Sequence, residues 1–332
     1  MELLHPRGSA LVTSSDQEAA AEPTQPTPRR TSRRSLLLAG AAVGAGAAIA
    51  PLSTSRAFAA TGAISVVSAN ILQTLKWDKF IVDLDRAAYG AHLLGLNEAY
   101  KWRPQLAYWA AVRGFTIYQS DGPEENVGTN VLLGRSSMFE LLDAGFERSH
   151  PGGPNRRHPL PTYINWARWR ERVTGIQIVH INTHTTRGIE VRGKPSYKYG
   201  DGRVRLAAEQ LTRVGQLADF VRRGGLEVIV TGDLNVDWKK DRIHQDKRFP
   251  YAILEHSGRT DEPGLRSCWS MYGTPGVGTW KNRYIDYIYE WVRVPSKRKI
   301  AMTGVQIVDL LHSDHDAVLA TFALNSAGHA NG

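Results

Sequence analysis

The sequence predicts an α/β protein whose mixed sheets are covered by helices. Three observations carry this. Short apolar runs rich in β-branched residues alternate with stretches of helical spacing, two of the runs face each other across a tight turn, and no linker interrupts residues 60–324. The first run, residues 64–69 (ISVVSA), is a strand ending at Asn70, and residues 77–89 follow as an amphipathic helix. Residues 92–96 make a buried strand that stops before Glu98. A helix over 104–113 and a strand over 129–134 come next. Residues 163–172 alternate apolar and polar side chains, turn at Thr174-Gly175 and return over 176–182, the pattern of an antiparallel hairpin. Trp166 and Trp169 stand at odd spacing on that hairpin, so they take opposite faces or different depths, with packing as their role. The clearest helix covers 203–223, where Leu206, Leu211, Val214, Leu217 and Val221 recur near helical spacing and Gly224-Gly225 ends the run. A strand over 227–231 leads into Gly232-Asp233, and a helix over 251–257 and strands over 285–289 and 317–322 complete the series.

The ends of the chain read differently. Residues 1–31 are rich in Pro, Ser, Thr, Gln and Ala without apolar periodicity, the composition of an unfolded segment. Arg33-Arg34 then opens an apolar run from Leu36 to about Leu52, too short and too rich in small residues for a membrane span, and Ala57-Phe58-Ala59 supplies a cleavage pattern. Residues 1–59 are therefore expected to be a disordered leader and twin-arginine export signal, 60–325 the working domain and 326–332 a disordered tail, with the mature protein secreted as a monomer. Of 41 Lys plus Arg and 32 Asp plus Glu, six arginines and four acids leave with the signal; 35 bases against 28 acids remain, a balance of +7. Such a charge favours anionic partners without bearing on the fold. The single cysteine, Cys268, excludes an internal disulfide framework and a thiolate zinc cluster, and the absence of a G-x-S-x-G elbow disfavours a serine hydrolase.

Chemistry-bearing residues gather at strand ends. Asn70, Glu98, Asn182 to His184, Asp233, Asn235, Asp286, Asp314 and His315 each close or follow an apolar run. Carboxylates held in a common mouth without cysteine suit a hard divalent cation, Mg²⁺, Mn²⁺ or Ca²⁺. His92, His180, His244 and His256 have no partner pattern and read as structural or solvated.

The segments that carry these residues, SAN at Asn70, LGLNEAY at Glu98, VHINTHT at His184, VIVTGDLNVD at Asp233, RYIDYIYE at Asp286 and SDHDAV at Asp314, resemble the endonuclease/exonuclease/phosphatase superfamily, in its order and across residues 64–322. The resemblance implies a four-layer αββα sandwich of two mixed sheets, and metal-dependent attack of water on a phosphorus ester. It makes Glu98 the principal metal ligand with Asn70 and Asp314 nearby. Asp233 would orient or deprotonate the water, and Asn235 would hold water or phosphate. Asp286 would raise the basicity of His315, and His184 would face the phosphate or leaving oxygen. These residue types fit the chemistry independently: charge developing on phosphate oxygens needs a cation and donors, and a His beside a buried Asp keeps its proton. Two positions depart from the pattern. Asn97 replaces the usual Gln and is expected to alter substrate contacts, and Asp316-Ala317 follow His315 where a Pro is common.

Three basic clusters bear on the substrate. Arg148, Arg156, Arg157, Arg168, Arg170 and Arg172 form one; Arg192, Lys194 and Lys198 with Tyr197 and Tyr199 form another, just after His184; Lys239, Lys240, Arg242, Lys247 and Arg248 form the third, just after Asp233. Basic side chains interleaved with aromatic ones suit a polynucleotide, with Arg192, Lys194 and Lys239 as the expected contacts. DNA is the leading expectation; a sphingomyelin-like phospholipid, an inositol or sugar phosphate, and a non-catalytic binding module are the rivals.

Overall fold

In a computed structural model of the chain, neighbouring residues of the first strand bury on opposite sides. Val66 joins a core between two sheets, and Val67 joins a second core under helices. Leu93 and Leu94 divide in the same way. A sheet covered on both faces wants continuous apolar runs, which is why the runs of the sequence do not alternate. The structure describes residues 62–120, 129–150, 162–198, 201–255, 264–292 and 298–325. The export signal, Arg156, Arg157, Tyr199, His256 and the tail expected over 326–332 lie outside them.

Along the chain, β1 (Ala63–Asn70), α1 (Trp77–Ala88), β2 (Leu93–Asn97), α2 (Arg103–Val112), β3 (Phe115–Tyr118) and β4 (Val131–Arg135) come first. Then follow β5 (Phe139–His150), β6 (Thr162–Glu171), β7 (Gln177–His184), the two-residue strands β8 (Glu190–Val191) and β9 (Lys194–Pro195), α3 (Asp201–Arg223) and β10 (Glu227–Asp233). The chain continues through α4 (Trp238–His244), β11 (Leu265–Ser267), α5 (Cys268–Tyr272), β12 (Asp286–Trp291), β13 (Ile300–Val308) and β14 (Ala317–Leu324).

One sheet runs β13-β14-β1-β2-β4-β3 and the other β11-β12-β10-β7-β6-β5. Each has a single parallel pair, β1 with β2 and β7 with β10. Phe80 and Leu84 of α1 and Leu106 and Trp109 of α2 bury against one sheet, while Leu211, Val214 and Ala218 of α3 bury against the other. The expected four layers are present. The predicted hairpin is β6–β7, with Trp169 fully buried and Trp166 half-buried. Gly134 exists for Trp169, since a Cβ there would lie 2.8 Å from the indole.

Of the helix expected over 251–257, residues 256–257 lie outside the described residues, and the described ones form a π turn, Tyr251–Glu255. It packs near Asp241 of α4, whose buried carboxylate accepts the Tyr251 N–H at 2.7 Å while its Oδ1 has no partner. Burial, with Glu255 and Asp246 close by, pushes the Asp241 pKa up to about 8. The folded protein then holds a proton that the unfolded chain releases near 3.8, so stability falls as pH rises through that window. Asp241→Asn removes the dependence. It is expected to raise Tm at pH 8 by at least ~2–4 °C, the value of ~1 kcal/mol in a domain of this size, and to change little at pH 4. An equal shift at both pH values, measured by thermal denaturation, would contradict this.

Candidate active site

Strand register assembles most of the site. Asn70 lies opposite Asn97, one residue before Glu98, and Asp233 lies opposite His184 on one side and Asp286 on the other. Gly232 makes that last arrangement possible: a Cβ there would fall 2.0 Å from the carbonyl oxygen of Thr183. The two sheets meet where Asn70 Nδ2 donates to Asp233 Oδ2 at 3.0 Å.

From Asp233 the contacts spread outward. Its Oδ2 lies 3.3 Å from His184 Nε2 and 3.9 Å from His315 Nε2, and its Oδ1 accepts the Asn235 N–H at 2.8 Å. Asn235 Nδ2 lies 3.0 Å from the Thr185 carbonyl, 3.2 Å from His184 Nε2 and 3.3 Å from Asp233 Oδ2. His315 Nδ1 lies 2.9 Å from Asp286 Oδ2. Six expected residues, Asn70, His184, Asp233, Asn235, Asp286 and His315, thus form one contiguous cluster. Asp314 stands at its exposed rim, receiving the Trp280 indole N–H at 3.2 Å. Arg192, Lys194 and Lys239 are exposed and outside the cluster.

Charge within the cluster is arranged in alternation. Burial opposes the His315 imidazolium, but Asp286, then Asp233 and Asp314, outweigh it and push the pKa up to about 10. Burial likewise opposes charge on His184, and Asp233 and Glu98 raise it overall. Asp233 is burdened by burial yet held below its ordinary value by the two imidazoles. Burial and the neighbouring Asp233 raise Asp286, against the pull of His315. These directions favour protons on the two histidines and ionisation of Asp233.

Two features fit a divalent cation. The buried Oδ1 of Asn70 has no hydrogen-bond partner, and Glu98 sits in the left-handed backbone region at φ 60 with its Oε2 accepting the Gln73 N–H at 3.3 Å. A glutamate there is strained by ~1–3 kcal/mol, the kind of outlier that marks functional positions. Asp233, Asp286 and His315 also offer ligand atoms within 4.8 Å of one another. Asp286 Oδ2 and His315 Nδ1 are bonded to each other, while Asp286 Oδ1, like Asn70 Oδ1, is buried without a hydrogen-bond partner.

Several functional neighbours were not evident from sequence. Asn97 is one: its side chain is fully buried. Its Nδ2 donates to Asn130 Oδ1 at 2.9 Å and reaches Asn182 Oδ1 at 3.3 Å, and its Oδ1 accepts the Asp233 N–H at 3.0 Å. The expected effect on substrate contacts is thus replaced by a role between the sheets. Asp316 closes its own loop by accepting the Leu310 N–H at 3.0 Å. His180 is structural as expected, buried against Thr231 Oγ1 at 2.8 Å with its pKa lowered by burial to about 3, and Cys268 is buried in the core.

The basic clusters separate. In the first, Arg170 pairs with Glu140 at 2.6 Å and Arg168 with Asp143 at 3.9 Å across β5 and β6, while Arg172 donates to the Ser136 carbonyl at 3.0 Å. The other two join. The turn between β8 and β9 packs on α4 so tightly that a Cβ on Gly193 would lie 2.4 Å from His244 and 2.7 Å from the Cβ of Lys240. Glu190 binds the Gly193 N–H and the Arg283 guanidinium, fastening the turn beside the site.

The profile of the Endonuclease/Exonuclease/phosphatase family matches residues 67–315. No curated protein sequence matches the chain. Among solved structures, an endonuclease/exonuclease/phosphatase family protein from Bacteroides thetaiotaomicron is similar with a TM-score of 0.58 at 15% identity, over 81% of this chain and 98% of that one. The mannosyl-6-phosphatase Bt3783 of the same species gives 0.55 at 16% identity, over 79% and 100%. D. rerio TDP2 complexed with a single-strand DNA product gives 0.55 at 14% identity, over 78% and 98%. At these identities the likeness is one of fold.

Proposed function

Because this chain belongs to the endonuclease/exonuclease/phosphatase family of divalent-metal-dependent phosphoesterases, we propose that it is an exported phosphodiesterase acting on nucleic acid, with DNA the first substrate to test. The observation that supports a polymer is the basic ridge. Arg192 and Lys194 on the β8–β9 turn and Lys239 and Lys240 on α4 are exposed on two segments locked together. That ridge begins eight residues after His184 and four after Asn235. Phosphates along a strand would meet it while one of them occupies the cluster. D. rerio TDP2, which is similar in fold, is complexed with a single-strand DNA product, and this supports testing such a polymer.

In this reading Asn70, Glu98 and Asp314 hold Mg²⁺ or Mn²⁺, which neutralises phosphate charge when bound. Asp233, kept ionised, orients the attacking water and takes up its proton. Asn235 and the His184 ring N–H donate to the phosphate oxygens. His315, held protonated by Asp286, stabilises the charge that develops as the ester bond breaks.

Purified mature protein is expected to nick plasmid DNA with Mg²⁺ or Mn²⁺, to stop on chelation, and to be found outside the cytoplasm of the producing cell. No nicking with either metal removes the DNA reading, and retention of the full-length chain in the cytoplasm removes export. The exposed Val191 and Ile243 on the same ridge favour a phospholipid as the second reading. Sphingomyelin, RNA and inositol or sugar phosphates therefore belong in the same assay panel.

Changing Arg192 and Lys194 together to alanine is expected to weaken binding of long DNA by ~10-fold at low salt and to lower the salt slope by about 2. Hydrolysis of a small aryl diester should stay near wild type. Equal loss on both substrates would assign the turn to folding or chemistry instead.

A further inference from the structure

Asp314 and His315 lie on the connection between β13 and β14, which has no regular secondary structure to hold it. Three successive backbone N–H groups of that connection converge on one carboxylate, Asp83 of α1. Leu311 N–H donates to Oδ1 at 2.7 Å, His312 N–H reaches Oδ1 at 3.2 Å and Oδ2 at 3.0 Å, and Ser313 N–H donates to Oδ2 at 2.6 Å. Consecutive N–H groups turned inward make an anion-binding concavity. Here the anion belongs to the chain itself.

Asp83 is fully buried, on the same face of α1 as Phe80, Leu84 and Ala87. Packing alone would place an apolar residue there, since a buried carboxylate is expensive unless its oxygens are hydrogen-bonded. Beyond the concavity, Ser313 Oγ donates to the Asn70 carbonyl at 3.0 Å and accepts the Leu72 N–H at 3.2 Å and the His315 N–H at 3.4 Å. The contacts run without a break from the helix, through the connection, to the strand end that carries Asn70.

We infer that Asp83 is a positioning residue of the active site, fixing Asp314 and His315 through the backbone of residues 311–313 and tying them to Asn70 through Ser313. The inference rests on the proposed roles of His315 and Asp314. Asp83→Asn keeps the shape but turns an amide N–H₂ toward the N–H donors. It is expected to lower kcat on a small aryl diester ~10–100-fold, as displacement of reacting groups by about 1 Å does, with KM within about 2-fold. The concentration of Mn²⁺ giving the half-maximal rise in Tm should increase at the same time.

Asp85→Asn is the control on the same helix. Asp85 accepts the Trp109 indole N–H at 2.9 Å and pairs with Arg113 at 2.7 Å, so its loss should lower Tm while leaving kcat unchanged. Wild-type kcat in folded Asp83→Asn overturns the inference, as does an equal loss of kcat in Asp85→Asn at matched Tm. Should Asp83→Asn fail to fold, Ser313→Ala decides: a fall in kcat supports the linkage and a wild-type rate overturns it. Full activity in His315→Ala would instead remove the site assignment, whereas loss there with full activity in Asp83→Asn removes this inference alone.

Discussion

His315→Ala is expected to lower kcat by ~10² or more, on polymer and small diester alike, with a smaller change in KM. The imidazole is the cation of a buried group of carboxylates, 2.9 Å from Asp286 and 3.9 Å from Asp233. With its pKa pushed up to about 10, it carries charge throughout the neutral range. Alanine removes that charge from the place where the ester oxygen becomes anionic. It also leaves Asp286 buried and unpaired, so Asp286 takes up a proton rather than remain charged. Steady-state kinetics on both substrates checks this. A wild-type rate would overturn the assignment of the site.

Glu98→Gln is expected to raise the Mg²⁺ or Mn²⁺ concentration for half-maximal rate by at least ~10–100-fold, the range seen even for outer partners of metal ligands. The substitution keeps the side-chain shape and the φ of 60, so backbone strain does not confound the comparison. It removes one negative charge from a proposed ligand set whose remaining members are Asp314 and the neutral, unpartnered Asn70 Oδ1. The same loss deprives His184 of one of the charges that raise its pKa. Metal titrations of rate and of Tm should move together. An unchanged metal requirement would place the ion elsewhere, with Asp233, Asp286 and His315 as the alternative ligands.

What could be read from the sequence follows from how each feature is encoded. Residues at strand ends were legible because an apolar run stops at a polar group, and strand register then brings Asn70, Asp233 and Asp286 together. β5 and β13 were missed for a physical reason: both are largely half-exposed, and irregular register at Leu141/Asp143, Arg148/His150 and Met302/Gly304 breaks the two-residue period. α4 was read as a basic cluster, and its charges concealed the buried Trp238 and Asp241. Asp83 did carry a signal, a carboxylate on an apolar helical stripe, but its meaning depended on a connection more than two hundred residues away. Asn97 misled because its neighbour Glu98 turns toward the site while Asn97 turns inward.

The buried amides have a wider consequence. Asn182 Nδ2 donates to the carbonyls of Leu96 at 2.8 Å and Val131 at 3.1 Å, and Asn97 reaches back to Asn182 and to the Asp233 N–H, so directional bonds cross an otherwise oily interface. Apolar side chains alone let two sheets slide with little penalty, whereas such bonds act as locating pins. Each sheet brings part of the site, Asn70 with the neighbouring Glu98 from one and His184, Asp233 and Asp286 from the other, and the pins hold the two parts in alignment. Accuracy of the chemistry is thereby vested in the interior. Rim segments such as the β8–β9 turn are left free to diverge toward new phosphate esters without retuning the reaction they serve.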